Sequence, residues 1–257
     1  MSEEKSVLLT IDDGVATVTM NQPRKFNSLD GAMLSELFSA ILDISENPAA
    51  RVMVLRGNGA AFCSGGDLKS MADNLDRIEG TAGYLIDTAN AVVLAMRRLA
   101  VPVICSVHGA AAGGGFAVAM GGDMVVAAES ARFVFAYSKI AVSPDAGLSY
   151  VLTERLGARR AIEALLLRTQ FSAAEMLELG LVNRVVADNQ LAAATQELAM
   201  QLAQLPPTMA REVKRIVNER ADNGLGHQMS LERAAFVRCA KSPEFAERVR
   251  AFMEKRR

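Results

Sequence analysis

Apolar and polar positions change period several times along this 257-residue chain, and each change marks an element. Val7 to Ile11 and Val15 to Met20 alternate around Asp12-Asp13-Gly14, which predicts two paired strands joined by a tight turn whose glycine supplies a positive φ. From Asp30 to Ser45 the spacing becomes helical, with Met33, Leu34, Leu37, Ile41, Leu42 and Ile44 apolar, and Arg51 to Arg56 then reads as a buried strand. The alternation repeats: a helix from about Thr81 to Leu99, a strand from Val101 to Val107, and an all-apolar helix from Gly114 to Met120 that must be buried. Short strands follow at Val125 to Ala128 and Phe133 to Phe135. Strands interleaved with helices imply right-handed crossovers and a mainly parallel sheet, with ligand-binding loops at the strands' carboxyl ends.

Beyond Gly147 the pattern turns mostly helical: Leu148 to Leu156, Ala158 to Leu166, Ala173 to Leu179, Leu191 to Leu205, Pro207 to Arg220, and two stretches from Gly226 to Arg257. One strand, Leu181 to Val186, interrupts it. The reading divides the chain into a ligand-binding core over 1–200 and a helical region over 201–257. In the latter, Phe245, Val249 and Phe252 share one stripe, more than a lone helix should show to water, so the end is expected to pack on a neighbouring subunit or over the site.

Composition narrows the partners. A formal net charge of -1 without a long basic run argues against nucleic acid and membrane surfaces, both of which need concentrated Lys and Arg, and favours a small molecule. Cys63, Cys105 and Cys239 fit no zinc or disulfide spacing, and with an acidic start leading straight into a strand they point to a reduced, cytoplasmic setting. Two histidines, His108 and His227, are too few and too far apart to suggest a metal site, and His108 reads as a structural neighbour of a glycine loop.

The candidate chemistry lies in two glycine-centred loops, Phe62-Cys63-Ser64-Gly65-Gly66-Asp67-Leu68 and Gly109-Ala110-Ala111-Ala112-Gly113-Gly114-Gly115-Phe116. Each joins a strand-like run to a helix-like one. Together they can aim two backbone N–H groups at one carbonyl oxygen, an arrangement in which each donor is typically worth roughly 3–4 kcal/mol of barrier. Neither loop has the spacing of a phosphate or dinucleotide cradle. For either loop alone, close packing of a helix on the sheet is the structural alternative.

The chain resembles the enoyl-CoA hydratase/isomerase family, the crotonase superfamily, along essentially its whole length. The resemblance is carried by Asn21-Gln22-Pro23-Arg24-Lys25-Phe26-Asn27-Ser28-Leu29, Phe62 to Leu68, Gly113-Gly114-Gly115, Ser143-Pro144-Asp145-Ala146-Gly147 and Ala251-Phe252-Met253-Glu254-Lys255-Arg256. It implies an α/β fold, a spiral of repeated strand-strand-helix units with a C-terminal helical trimerisation region, assembled as a homotrimer or dimer of trimers. It implies an acyl-CoA thioester as substrate, with Gly66 and Gly114 as the two amide donors and no cofactor beyond the substrate's coenzyme A. By position it assigns the phosphates to Arg24 and Lys25, the adenine and pantetheine to the backbone of Ala61, Cys63, Ser64 and Gly65 and to Lys69, and further contacts to Phe252 and Lys255 of an adjacent subunit.

The resemblance also exposes a departure. The positions where hydratases of the family carry two glutamates match Ala117 and Tyr137, and hydration needs both an acid and a base, so ordinary hydration is disfavoured. Asp145 remains, where some isomerases and a dehalogenase of the family place their working acid. One carboxylate suffices to carry a proton between two carbons of an enolate, and Val142, Ala146, Leu148 and Phe116 are candidates for the apolar surroundings that would raise its pKa. Asp145 otherwise reads as an N-cap, and Tyr137 as a packing residue or a hydrogen-bond donor to substrate or water. The leading expectation is an enoyl-CoA double-bond isomerase. The alternatives are hydration, thioester hydrolysis or dehalogenation on the same scaffold, and a passive acyl-CoA binder.

Overall fold

A computed structural model describes residues 5–222 and 224–245 of the chain. The predicted hairpin is its first unit: β1 (Val7–Asp12) and β2 (Val15–Met20) pair antiparallel through a two-residue turn. Both turn residues, Asp13 at φ 46° and Gly14 at φ 81°, are left-handed, the conformation that matches the twist of paired strands. Asp30 caps α1 (Gly31–Glu46) by accepting the Met33 N–H at 2.8 Å. The helix buries Met33, Leu34, Leu37, Ile41 and Ile44 as the spacing predicts, whereas Leu42 faces solvent. It lies on the wrong side of the stripe.

A six-stranded sheet runs in the order β1-β2-β3-β4-β6-β9, parallel throughout except for the opening hairpin. Its remaining strands are β3 (Val52–Gly57), β4 (Val103–Val107), β6 (Met124–Ala128) and β9 (Arg184–Val186). A second sheet, absent from the sequence expectation, pairs β5 (Ala110–Ala112) with β7 (Arg132–Val134), and β7 with β8 (Gln170–Ser172). Three-residue strands are too short to show a period of two, and pairing with distant chain alone makes them strands. Units such as β1-β2-α1 and β4-β5 with the next helix repeat a strand-strand-helix order.

The other helices are α2 (Leu68–Ala72), α3 (Ile78–Arg98), α4 (Gly114–Met120), α5 (Leu148–Leu156), α6 (Ala158–Leu167), α7 (Ala173–Glu178), α8 (Leu191–Ala203), α9 (Pro207–Asn218) and α10 (Leu225–Ala240). Alternate side chains of β4 show how they layer. Ser106 meets Thr195 of α8 at 2.9 Å, while Cys105 faces the opposite way, its thiol 3.9 Å from the Val118 carbonyl of α4. Helix α4 is buried at all seven positions, and Phe116 within it packs on Phe133 and Phe135 at ring separations of 5.3 and 5.4 Å. An all-apolar helix has no solvent face, so the protein closes around it. Among the described residues no helix is long and apolar enough to cross a membrane. Of the expected stripe, Phe245 is exposed and its ring lies 6.4 Å from that of Phe236, whereas Val249 and Phe252 lie outside the described residues.

Candidate active site

The two glycine loops meet because one is threaded beside the other. Residues 62–63 run parallel to the chain after β4: Phe62 N–H donates to His108 O, Cys63 N–H to Ala110 O, and Ala112 N–H back to Cys63 O, all at 2.9–3.0 Å. On the far side Leu29 N–H donates to Gly65 O at 2.8 Å. This strip lies so close to its neighbours that two glycines are obligatory: a Cβ on Gly65, already at φ 95°, would stand 2.6 Å from Ala112 O, and one on Gly115 would stand 2.5 Å from Cys63 O.

Gly66, Gly114 and Asp145 converge on one small volume. A methyl group placed on Gly114 would lie 3.8 Å from the Gly66 nitrogen and 3.8 Å from Asp145 Oδ1. Among the described residues no acceptor takes the N–H of Gly66 or of Gly114. In a parallel bridge such as Leu29–Gly66 the flanking residues make the bonds, which leaves the Gly66 amide turned away from Leu29. Gly114 is the first residue of α4, whose amide has no intrahelical partner, and the Gly113 cap offers no side chain. Two unclaimed donors stand beside a carboxylate.

That carboxylate is held from one side. Tyr137 Oη donates to Asp145 Oδ1 at 2.8 Å, and Oδ2 takes no donor from another of the described residues. Asp145 is therefore not an N-cap: α5 begins after Gly147 without side-chain capping, and only the Asp145 backbone oxygen accepts, from Leu148 N–H at 3.0 Å. Tyr137 is buried as the packing alternative required, yet its hydroxyl is spent on the acid. Burial raises the Asp145 pKa above the ordinary carboxylate value, and the tyrosine hydrogen bond opposes that rise without cancelling it. Burial and the neighbouring carboxylate both push the tyrosine pKa up, so Tyr137 remains a donor. Of the four residues expected to give Asp145 apolar surroundings, Ala146, Leu148 and Phe116 are buried, whereas Val142 is exposed. Ala141 at φ 56° and Ala146 at φ 44° bracket the acid, strained positions of the kind that gather at functional sites.

The remaining expected contact residues fall into three groups. Ala61, Cys63, Ser64 and Gly65 lie on the strip itself; the Cys63 thiol is fully buried, its pKa pushed up to about 12 by burial, so that residue offers only backbone. Arg24 and Lys25 sit on a 3₁₀ turn beside the strip, tied to it where Ser64 N–H donates to Phe26 O at 2.9 Å. Lys25 and Lys69 are paired with Asp30 and Asp73, and both lysine side chains are largely exposed, so these are weak surface pairs. Phe252 and Lys255 lie outside the described residues. Sequence reasoning missed the residue that welds these parts together. Asn27, fully buried at φ 54°, donates from Nδ2 to the carbonyls of Asn58, Ala61 and Phe62 and accepts the Gln22 N–H at Oδ1. Its one legible sign was that Asn, after a Pro-led turn, tolerates a left-handed backbone.

Fold and site together define an α/β protein whose ligand meets the carboxyl edge of a parallel sheet. Residues 10–257 match the family described as enoyl-CoA hydratase/isomerase, and the chain belongs to that family. It is 35% identical over 251 residues to 1,2-epoxyphenylacetyl-CoA isomerase of Escherichia coli K12, covering 97% of this chain and 96% of that protein. It is 34% identical over 246 residues to a probable enoyl-CoA hydratase of Rhodobacter capsulatus, covering 96% and 94%. The structure superposes on an enoyl-CoA hydratase from Polaromonas sp. JS666 with a TM-score of 0.93 at 32% identity, covering 97% of each chain. The chain is an acyl-CoA enzyme with the crotonase fold.

Proposed function

We propose that this enzyme moves a double bond within an enoyl-CoA by proton transfer through a thioester enolate. In this reading the thioester carbonyl accepts the N–H groups of Gly66 and Gly114. The Asp145 carboxylate removes a proton from the α carbon of a 3-enoyl thioester, and the electron pair of that C–H bond delocalises onto the carbonyl oxygen. The protonated Asp145 then gives the proton to the γ carbon, which forms the 2-enoyl product. Nothing is consumed besides the substrate. A shuttle of this kind must both take and return a proton, so a carboxyl with a raised pKa is better matched to the task than an ordinary one.

The observation that supports the reading is the nearness of one carboxylate, Asp145, to the two free amides; Asp67, next to Gly66, is spent on capping α2, and Ala117 stands one helical turn beyond Gly114 where a second acid would be expected. Hydration would need an acid and a base there. Self-association into trimers is part of the same reading, supported by the exposed apolar residues Val213, Val217 and Phe236 of α9 and α10. The test is α-deuterium exchange into a bound acyl-CoA together with double-bond migration in an enoyl-CoA. Asp145→Asn is expected to slow both by about a hundredfold or more. Exchange at the wild-type rate in that variant would overturn the assignment.

A further inference from the structure

Two clefts open beyond the Gly114–Asp145 centre, and they share a wall. The nearer, about 310 Å³, starts at Ala117, Ala146 and Gly147 and runs between α3 and α5 past Val93, Leu94 and Val151. The farther, about 390 Å³, lies against α9 and holds Asp123 and Lys214. Arg97, Met120, Tyr150 and Val151 line both. The larger cleft is thus not the reacting centre; it is joined to the nearer one only by the shared wall of Arg97, Met120, Tyr150 and Val151.

An apolar corridor explains Val93 and Leu94 on its wall. It does not explain Arg97, which lies on the same face of α3, at the i+4 and i+3 positions from those two residues. Among the described residues Arg97 has no carboxylate within ion-pair distance and makes no side-chain hydrogen bond. Its neighbours have nothing to spare. Lys214 Nζ is committed to Asp123 at 2.7 Å and to the carbonyls of Met96 and Val101, and Asp123 also accepts the Val103 N–H. Arg97 acts on this pair through space, lowering the pKa of Asp123 and of Lys214, but among the described residues it makes neither an ion pair nor a side-chain hydrogen bond with them, and its donors stay free on the wall the two clefts share. A basic residue in the last turn of a helix also complements the helix dipole, but that role needs no cleft.

We propose that Arg97 selects acyl-CoA substrates whose acyl group ends in a carboxylate, the apolar carbons lying along Ala117, Val93 and Leu94 and the terminal carboxylate meeting the guanidinium. The proposal rests on the acyl-CoA reading of the Asp145 site and adds to it the far end of the substrate. The scale is consistent: Gly114 to Met120 along α4 spans about 9 Å. An apolar cavity of about 150 Å³ takes benzene, so the nearer cleft has room for a ring or chain of six to ten carbons, by the same rough measure.

Binding separates this proposal from the chemistry. Calorimetric titration uses two saturated thioesters, octanoyl-CoA and the mono-CoA thioester of octanedioic acid, with wild type, Arg97→Met and Arg97→Lys, after melting curves confirm folding. Wild type is expected to prefer the diacid thioester by about tenfold or more. Arg97→Met should bring the two affinities together, and Arg97→Lys should keep part of the preference. Equal binding of both by the wild type, or a preference that survives Arg97→Met, overturns the assignment of Arg97 and leaves the proton-transfer reading standing. Failure to bind either thioester overturns both. If Arg97→Met does not fold, the wild-type comparison and Arg97→Lys still decide.

Discussion

Asp145 and Tyr137 form a unit whose parts have different jobs. The tyrosine hydroxyl favours the ionised acid and burial favours the neutral one, so removing the hydroxyl moves the balance in a known direction. Tyr137→Phe should shift the acid limb of the kcat/KM pH profile upward and lower the neutral-pH rate by about tenfold. A merely structural tyrosine would leave the limb where it is. Linkage gives a second expectation. A carboxyl whose folded pKa lies above its unfolded value binds its proton more tightly when folded. The stability it lends is full below the unfolded value, about 3.9, and is lost as pH rises through the folded one. Asp145→Asn should therefore gain on the wild type in melting temperature as pH climbs from about 4 toward neutrality. At this scale the acid itself was legible in the chain, through the Ser143 to Gly147 motif. Its hydrogen-bond partner was not, because the seven intervening residues carry the rest of a 3₁₀ turn and the left-handed Ala141, which no local pattern announces.

Adjacent glycines at the head of α4 serve unlike ends. A methyl on Gly114 would enter the space between the two free amides and the acid, with no contact closer than 3.3 Å. A methyl on Gly115 would strike Cys63 O, Sγ and Cβ at 2.5–2.7 Å. Gly114→Ala is expected to fold, with melting close to wild type, and to lose about a hundredfold or more in exchange rate. Gly115→Ala is expected to lose roughly 2–4 kcal/mol in chemical denaturation, because backbone of the neighbouring loop must move. Equal damage to stability by both would show that the Gly114 position is structural. The helix itself, Gly114–Met120, was readable near its true bounds, since five apolar residues, Phe116 to Met120, between a triple glycine and Gly121 leave little choice. The second sheet was not, because Ala110–Ala112 is a strand only by virtue of Arg132–Val134.

Across the whole molecule, α9 is fastened to the core by one buried cation. Lys214 spans from α9 to the end of α3 and the start of β4, and burial depresses its pKa while raising that of Asp123. Lys214→Met leaves Asp123 buried without its partner and should cost about 3–5 kcal/mol in urea denaturation. Adding Asp123→Leu should recover part of that loss, since a pair removed together strands no charge.

The sequence alone determined the elements whose burial is nearly complete or evenly periodic: the opening hairpin, the buried parallel strands, the all-apolar helix and the helices from Leu191 to Ala240. Periodicity is a local property, and these segments carry it within a few residues. It also carried the glycine loops and the acid as separate motifs. Tertiary structure decided what depends on distance through space: that residues 62–66 thread beside 108–112, that Asn27 ties them to the first turn, that Tyr137 holds Asp145, and that Arg97 lines a cleft together with Val93, Leu94 and Ala117. Each of those arrangements joins segments far apart in the chain, and no spacing along the chain encodes such a meeting.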